Sequence, residues 1–181
     1  GWGNAMRTEQ LTKQRVKVIA NLHKSYIGSG FLSSLGIGFL KLLYGSMINS
    51  NSAFCLVAVE NEKVVGFIAG AVRLNVFYKE FIRNNFLLAG CIIAIRPLVL
   101  KKAIETLFYP KKEDDSLPKA ELLSIVVEDN YQGKGVSNQL FQAFVEELKK
   151  RGIEKFKIVV GSNLISAQKF YEKMRAKRYA E

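Results

Sequence analysis

Residues 120–152, AELLSIVVEDNYQGKGVSNQLFQAFVEELKKRG, constrain this chain more than any other stretch. An apolar, β-branched run, Leu122-Leu123-Ser124-Ile125-Val126-Val127, has the composition of a buried strand. The polar turn Glu128-Asp129-Asn130 ends it. Beyond Tyr131-Gln132-Gly133-Lys134-Gly135, the residues Val136, Leu140, Phe144 and Leu148 step by four, with Phe141 and Val145 beside them. That spacing gives one helix an apolar face. Lys149, Lys150 and Arg151 followed by Gly152 carry the charge and cap chemistry of a helix C-terminus. The unit is strand, glycine loop, helix.

Such a loop has defined chemistry. Glycines let the backbone approach a ligand without side-chain interference. A helix that starts near Val136 leaves its first N–H groups without intrahelical partners, and its dipole favours an anion there. Lys134 adds a positive charge, so the expected guest is a phosphate or pyrophosphate. A Walker loop needs Ser or Thr after its lysine, and Gly135 stands there instead. The dinucleotide fingerprint needs a third glycine, and position 138 is Asn. Both nucleotide readings fail.

What the stretch resembles is the acyl-coenzyme A signature of the GNAT N-acetyltransferase superfamily, Gln/Arg-x-x-Gly-x-Gly/Ala, with Gln132, Gly135 and Ser137 at its marked places. Ser137 departs from the pattern but is small. A second stretch, Asn163 to Met174, resembles the family's Asn-x-x-Ala-x-x-x-Tyr-Glu-Lys-x-Gly-Phe motif. Ala167, Tyr171, Glu172 and Lys173 match in spacing. Asn163 stands one residue too far from Ala167, and Arg175-Ala176 replaces Gly-Phe.

The resemblance implies an α/β fold of three layers, a mixed central sheet flanked by helices. It implies an N-acetyltransferase that moves acetyl from acetyl-coenzyme A to a primary amine by direct attack. Gly133, Lys134, Gly135, Val136 and Ser137 would hold the pyrophosphate, with Gln132 and Asn163 as further cofactor-binding positions. Ile125, Val126 and Val127 would line the pantetheine arm, where the signature strand splays from its parallel neighbour. Tyr171 matches the tyrosine that protonates the departing thiolate. Glu121, at the start of the signature strand, stands where some relatives carry a catalytic base, although many use water relays. The acceptor half has no matching motif. A small-molecule or protein amine is the expected acceptor, and a coenzyme A-binding sensor or scaffold without turnover is the alternative.

The rest of the chain supplies the frame. A length of 181 residues suits a single domain with a real core. No run reaches the roughly 18 to 20 apolar residues of a membrane span. Cys55 and Cys91 both lie in apolar runs, which predicts two buried, reduced thiols in a cytoplasmic protein. His23 is the lone histidine; it is expected on a helix surface, and no metal site is expected. Lys and Arg outnumber Asp and Glu by 27 to 16, a net charge of +11 that points to an anionic partner. It argues against a strongly cationic acceptor. Nucleic acid is not expected, because no helix-turn-helix, RNP or zinc pattern is present.

A first strand is expected within Met6–Thr12, helices over Lys13–Tyr26 and Leu35–Ile48, and a hairpin from Phe54–Val59 and Val64–Val72. Gly66 and Gly70 fall on one face of its second strand and would admit a closely packed helix. Residues 73–118 are longer than the short turn the family uses there, and read as a helical insertion. They hold the apolar run Phe86–Ile95 and a helix pattern over Leu98–Phe108. Between Arg73 and Lys112 eight basic residues face two acidic ones. A cap, a lid over the acceptor, and a patch for a membrane or protein partner all remain open for it. A last strand is expected over Lys155–Val160, parallel to the signature strand.

Overall fold

The computed structural model describes residues 6–94, 116–159 and 165–174; the side chains of 89, 92, 93, 165 and 166 are not described. Five strands form one sheet in sequence order: β1 (Arg7–Gln10), β2 (Ala53–Glu60), β3 (Lys63–Ala71), β4 (Glu121–Val127) and β5 (Lys157–Ile158). The first three pairings are antiparallel and β4–β5 is parallel, so the sheet is mixed. Helices α1 (Val16–Tyr26), α2 (Phe31–Ser34), α3 (Ile37–Met47) and α4 (Leu74–Ala94) precede β4. Helix α5 (Val136–Lys150) crosses from β4 to β5, and α6 (Ile165–Lys173) follows.

The two central strands are buried on both faces, as their near-continuous apolar runs require. Period-two alternation divides their side chains. Ala53, Cys55, Val57 and Val59 join Phe39, Leu43, Tyr44, Phe77 and Phe81 in a core under α1, α3 and α4. Phe54, Leu56 and Ala58 point the other way, to Leu140, Phe144, Leu148 and Tyr171 of α5 and α6. Three layers result. Both glycines of β3 are crowded, Gly70 by α5 and Gly66 by the β4 backbone. A Cβ on Gly70 would lie 2.3 Å from the Phe144 ring, and one on Gly66 would lie 2.7 Å from the Val126 carbonyl oxygen.

The β2–β3 hairpin turns on Asn61 and Glu62, both at positive φ (48° and 63°). That is what a tight two-residue hairpin asks of its centre, here without glycine. Glu62 also pairs with Arg7 at 2.7 Å, tying the turn to β1.

Several expectations need correction. A four-residue helix, α2, occupies the Ser/Gly-rich interval between α1 and α3. Helix α4 begins at Leu74, a full twelve residues before the apolar run at Phe86. Its backbone breaks at Asn85 (φ −130°, ψ 19°), whose amide donates to Ser46 Oγ at 3.3 Å and to the Phe81 carbonyl at 3.0 Å. The parallel pairing at β5 is as expected but, among the described residues, covers only Glu121–Lys157 and Leu122–Ile158. Cys55 is buried, but Cys91 is exposed, because α4 has left the core by that point. His23 is buried, not on the surface: with Ile19 and Ala20 it continues the inward stripe of α1. The Leu98–Phe108 pattern and Asn163 lie outside the described residues.

Candidate active site

Strand β4 organises the site through one irregularity. Its register against β3 slips between Ala69 and Gly70, opposite Leu122–Ser124, so β4 carries a bulge there. Below the bulge, the Ala120 carbonyl accepts from the Lys157 N–H at 2.9 Å, facing β5. Above it, the Glu128 N–H donates to the Val65 carbonyl at 2.9 Å, facing β3. Backbone groups alternate sides along a strand, so Val126 and Ser124 share the β3 side with Glu128. Ile125 and Val127 face the opposite side. Pairing with β5 stops at Leu122, so among the described residues no strand meets Ile125 or Val127. This is a sheet edge opened from within, and its N–H and C=O groups call for partners.

The loop beyond the edge is held from three directions. The Gln132 side-chain amide donates to the Val127 carbonyl at 3.1 Å and to the Asp129 carboxylate at 3.3 Å. The Asp129 N–H donates to the Tyr26 hydroxyl at 2.8 Å, which fastens the end of α1 to the loop. Lys63 reaches from β3 to Glu128 at 3.0 Å, and the ammonium groups of Lys63 and Lys134 stand 5.7 and 5.4 Å from the Tyr131 ring centre. The sequence showed no sign of Tyr26 or Lys63, because both act across the fold.

Gly133 (φ 74°) and Gly135 (φ 82°) are both left-handed, and a Cβ on either would meet nothing within 4 Å. Glycine is therefore needed for the backbone angle, not for space. Gly135 is the N-cap of α5, and no side chain caps the helix. Its first turn holds no acidic residue either. The leading N–H groups of a fifteen-residue helix, with Val136 buried beneath them and Ser137 half-buried beside it, thus face outward beside Lys134. The far end closes with the Gly152 N–H on the Lys149 carbonyl and the Ile153 N–H on the Leu148 carbonyl, both 2.9 Å. This is the Schellman pattern expected of a C′ glycine.

The two candidate catalytic side chains lie on opposite faces of the sheet. Tyr171 packs on the α5 side, its ring centre 6.4 Å from Phe141 and 5.4 Å from Phe170. Burial raises its pKa, so its phenol is held protonated. Glu121 neighbours Leu122, which points to the α5 side, so alternation turns Glu121 toward α4. There it meets Tyr78, whose pKa is pushed up to about 12 by burial and then by the Glu121 charge.

Under the bulge lies a buried polar chain absent from the sequence reading. His23 Nδ1 and the Tyr44 hydroxyl share a hydrogen bond of 2.6 Å, and the Tyr44 hydroxyl meets Ser124 Oγ at 3.1 Å. Burial lowers the His23 pKa to about 4 and raises that of Tyr44, so both are neutral. The signal was the lone hydroxyl of Ser124 in an otherwise apolar strand. A groove of about 400 Å³ also runs between α3 and α4, past Lys41, Ser46, Glu80 and Asn84, but shares no residue with β4 or the loop.

The profile of the acetyltransferase (GNAT) family matches residues 30–175, most of the chain. This protein belongs to that family. It is an acyl-coenzyme A-dependent N-acetyltransferase, with acetyl-coenzyme A as acyl donor. Solved structures share the fold at low identity. One is the aminoglycoside N-acetyltransferase AAC(6′)-Iy in complex with CoA: TM-score 0.68, 14% identity, 99% of this chain and 92% of that one covered. Another is the ribosomal-protein-alanine N-acetyltransferase from Brucella melitensis biovar Abortus 2308: TM-score 0.59, 15% identity, 98% and 95% covered. A third is a transcriptional regulator from Bacillus halodurans C-125: TM-score 0.63, 13% identity, 98% and 96% covered. No curated protein sequence matches the chain.

Proposed function

We propose that this acetyltransferase works through the gap between β4 and β5, with the cofactor on the α5 side and the acceptor amine on the α4 side. The observation that carries this reading is a juxtaposition: an uncapped helix N-terminus behind two left-handed glycines, directly beyond the edge at Ile125 and Val127 that no described strand meets. The amides of residues 133–137 and the Lys134 ammonium would take the diphosphate. The edge groups of Ile125 would take the pantetheine arm, which brings the thioester carbonyl up to the Val127 N–H, with Val126 held against β3. Gln132 supports the loop from below through its bond to Val127. Asn163, outside the described residues, stays a candidate from its motif alone.

The chemistry follows from placement. A lysine-like ammonium, with a pKa of about 10.4, must lose a proton before it can attack. Glu121, turned to the α4 side, accepts that proton. The nitrogen lone pair then forms the C–N bond at the thioester carbonyl, and the Val127 N–H donates to the oxyanion. The C–S bond breaks as the carbonyl re-forms. Tyr171, on the α5 side and held protonated, gives its proton to the sulfur, while the new amide nitrogen sheds its second proton to water, from which the phenolate is re-protonated. Acid and base stand on separate faces, so neither neutralises the other.

The acceptor is a primary amine on a neutral or acidic molecule, since a surface of net charge +11 repels polycations. The aminoglycoside named in some structural relatives belongs to those proteins; at 14% identity the likeness is one of fold. The test is thiol release from acetyl-coenzyme A across a panel of amines, including acidic peptides, amino sugars and polyamines. Turnover with neutral or acidic amines that Glu121→Gln lowers on the acid side of the pH profile supports the reading. Binding of the cofactor with no turnover on any amine favours the sensor instead.

A further inference from the structure

We propose that the distal half of α4, from Phe86 to Ala94, seats in the headgroup region of an anionic membrane and holds the enzyme at that surface. The proposal does not depend on which amine is acetylated.

The first half of α4 behaves as a core helix. Phe77 and Phe81, one turn apart, are buried against Phe39. At Asn85 the backbone breaks, and the rhythm of burial stops. Phe86, Leu87 and Leu88 are 62%, 69% and 59% exposed, and Gly90, Cys91 and Ala94 are also exposed. Large apolar side chains so open to water are costly unless something covers them.

The arrangement says what kind of cover fits. Successive helix residues are about 100° apart, so Phe86, Leu87 and Leu88 span about 200° of the circumference. A helix that docks in a protein groove presents a narrower stripe, spaced three and four apart. A wider apolar arc with charged residues on the turns before it suits a lipid interface, where the arc meets acyl chains and the charges meet headgroups. No described helix is long and apolar enough to cross a membrane, which leaves a helix lying in the interface. Charge adds the second requirement. Arg73, Lys79 and Arg83 are exposed just before α4 and on its preceding turns, against one acidic residue, Glu80, on the same helix. Anionic lipid headgroups meet that surplus.

The test uses the full chain, with vesicles of phosphatidylcholine alone or mixed with phosphatidylglycerol. Sedimentation with the mixed vesicles is expected, weaker with phosphatidylcholine alone, and weaker again in high salt. The triple variant Phe86→Ser, Leu87→Ser, Leu88→Ser is expected to bind the mixed vesicles about tenfold more weakly or worse. Its melting temperature and affinity for acetyl-coenzyme A should match the unmodified chain, which separates loss of docking from loss of fold. Cys91 supplies an independent readout, because Cys55 is buried. A water-soluble maleimide should label Cys91 readily in buffer and at least several-fold more slowly once mixed vesicles are added. Three results overturn the proposal: no sedimentation with either vesicle, equal sedimentation of the triple variant, or a Cys91 already blocked without lipid. The last would mean that protein covers this half-helix, either residues 95–115 or a second copy.

Discussion

The two faces of the sheet are built on different plans. On the α5 side, the loop and the elements that flank it lie within one continuous stretch: strand, bulge, glycine loop and helix span Glu121 to Lys150. The core there is aromatic, with Phe141, Phe144, Phe156, Phe170 and Tyr171 in successive ring contacts. On the α1–α4 side, contacts come from across the chain and include a buried polar chain, His23–Tyr44–Ser124, that spans 80 residues at one link and 21 at the other. The difference teaches that one face is laid down largely by a local motif, while the other is assembled from contacts far apart in the chain.

Three perturbations probe that contrast, and acid should have the largest effect. His23 has a pKa near 4 in the fold and about 6.5 when unfolded. The unfolded chain therefore binds the extra proton between those values, so the neutral His23 contributes stability in full above pH 6.5 and loses it as pH falls toward 4. The loss is about 3 kcal/mol for this group. Denaturant melts of the wild type and of His23→Gln should show a gap that narrows from pH 7 to pH 4.5. A gap that stays constant would mean that burial of the ring does not set acid sensitivity.

Next comes Tyr171→Phe. The ring contacts with Phe141 and Phe170 survive the substitution, so stability should hold. Turnover should fall by about 100-fold, as for a lost general acid. The KM for acetyl-coenzyme A should change little. An unchanged turnover would reduce Tyr171 to a packing residue of the α5 face.

Gly70→Ala is the smaller third. The added methyl would sit 2.3 Å from Phe144 and 3.1 Å from Phe54, and both rings must shift. A cost of roughly 2 kcal/mol is expected from overpacking. It should read out in thermal melts and leave the His23 pH dependence intact, because it strikes the opposite face. If the acid response changed too, the two cores would not be independent.

The same contrast explains what could be read before folding. The α5 side was legible because its signals are local: a β-branched run, two glycines, a four-step apolar stripe and a glycine cap all sit within residues 120–152. The narrow reach of β5 was not, since Lys155–Val160 looks uniformly strand-like, yet among the described residues only two pair. His23 was misplaced on the surface because histidine is polar, although its spacing from Ile19 and Ala20 already pointed inward. The bulge at β4 and the Tyr26 bond to Asp129 depend on partners far away in sequence, 103 residues for the latter. No local pattern announces them. Cys91 looked buried because its neighbours are apolar; the break at Asn85 carries that whole run out of the core.

The central claim is that the amides leading α5 grip the donor through its diphosphate. Calorimetric titration with S-acetyl-4′-phosphopantetheine, against S-acetyl-pantetheine, which keeps the arm and thioester and lacks only the phosphate that follows the arm, tests it directly. The account predicts that the truncated donor binds about 100-fold more weakly, the worth of a pair of charge-assisted hydrogen bonds. Equal affinity for the two would contradict it and place recognition elsewhere.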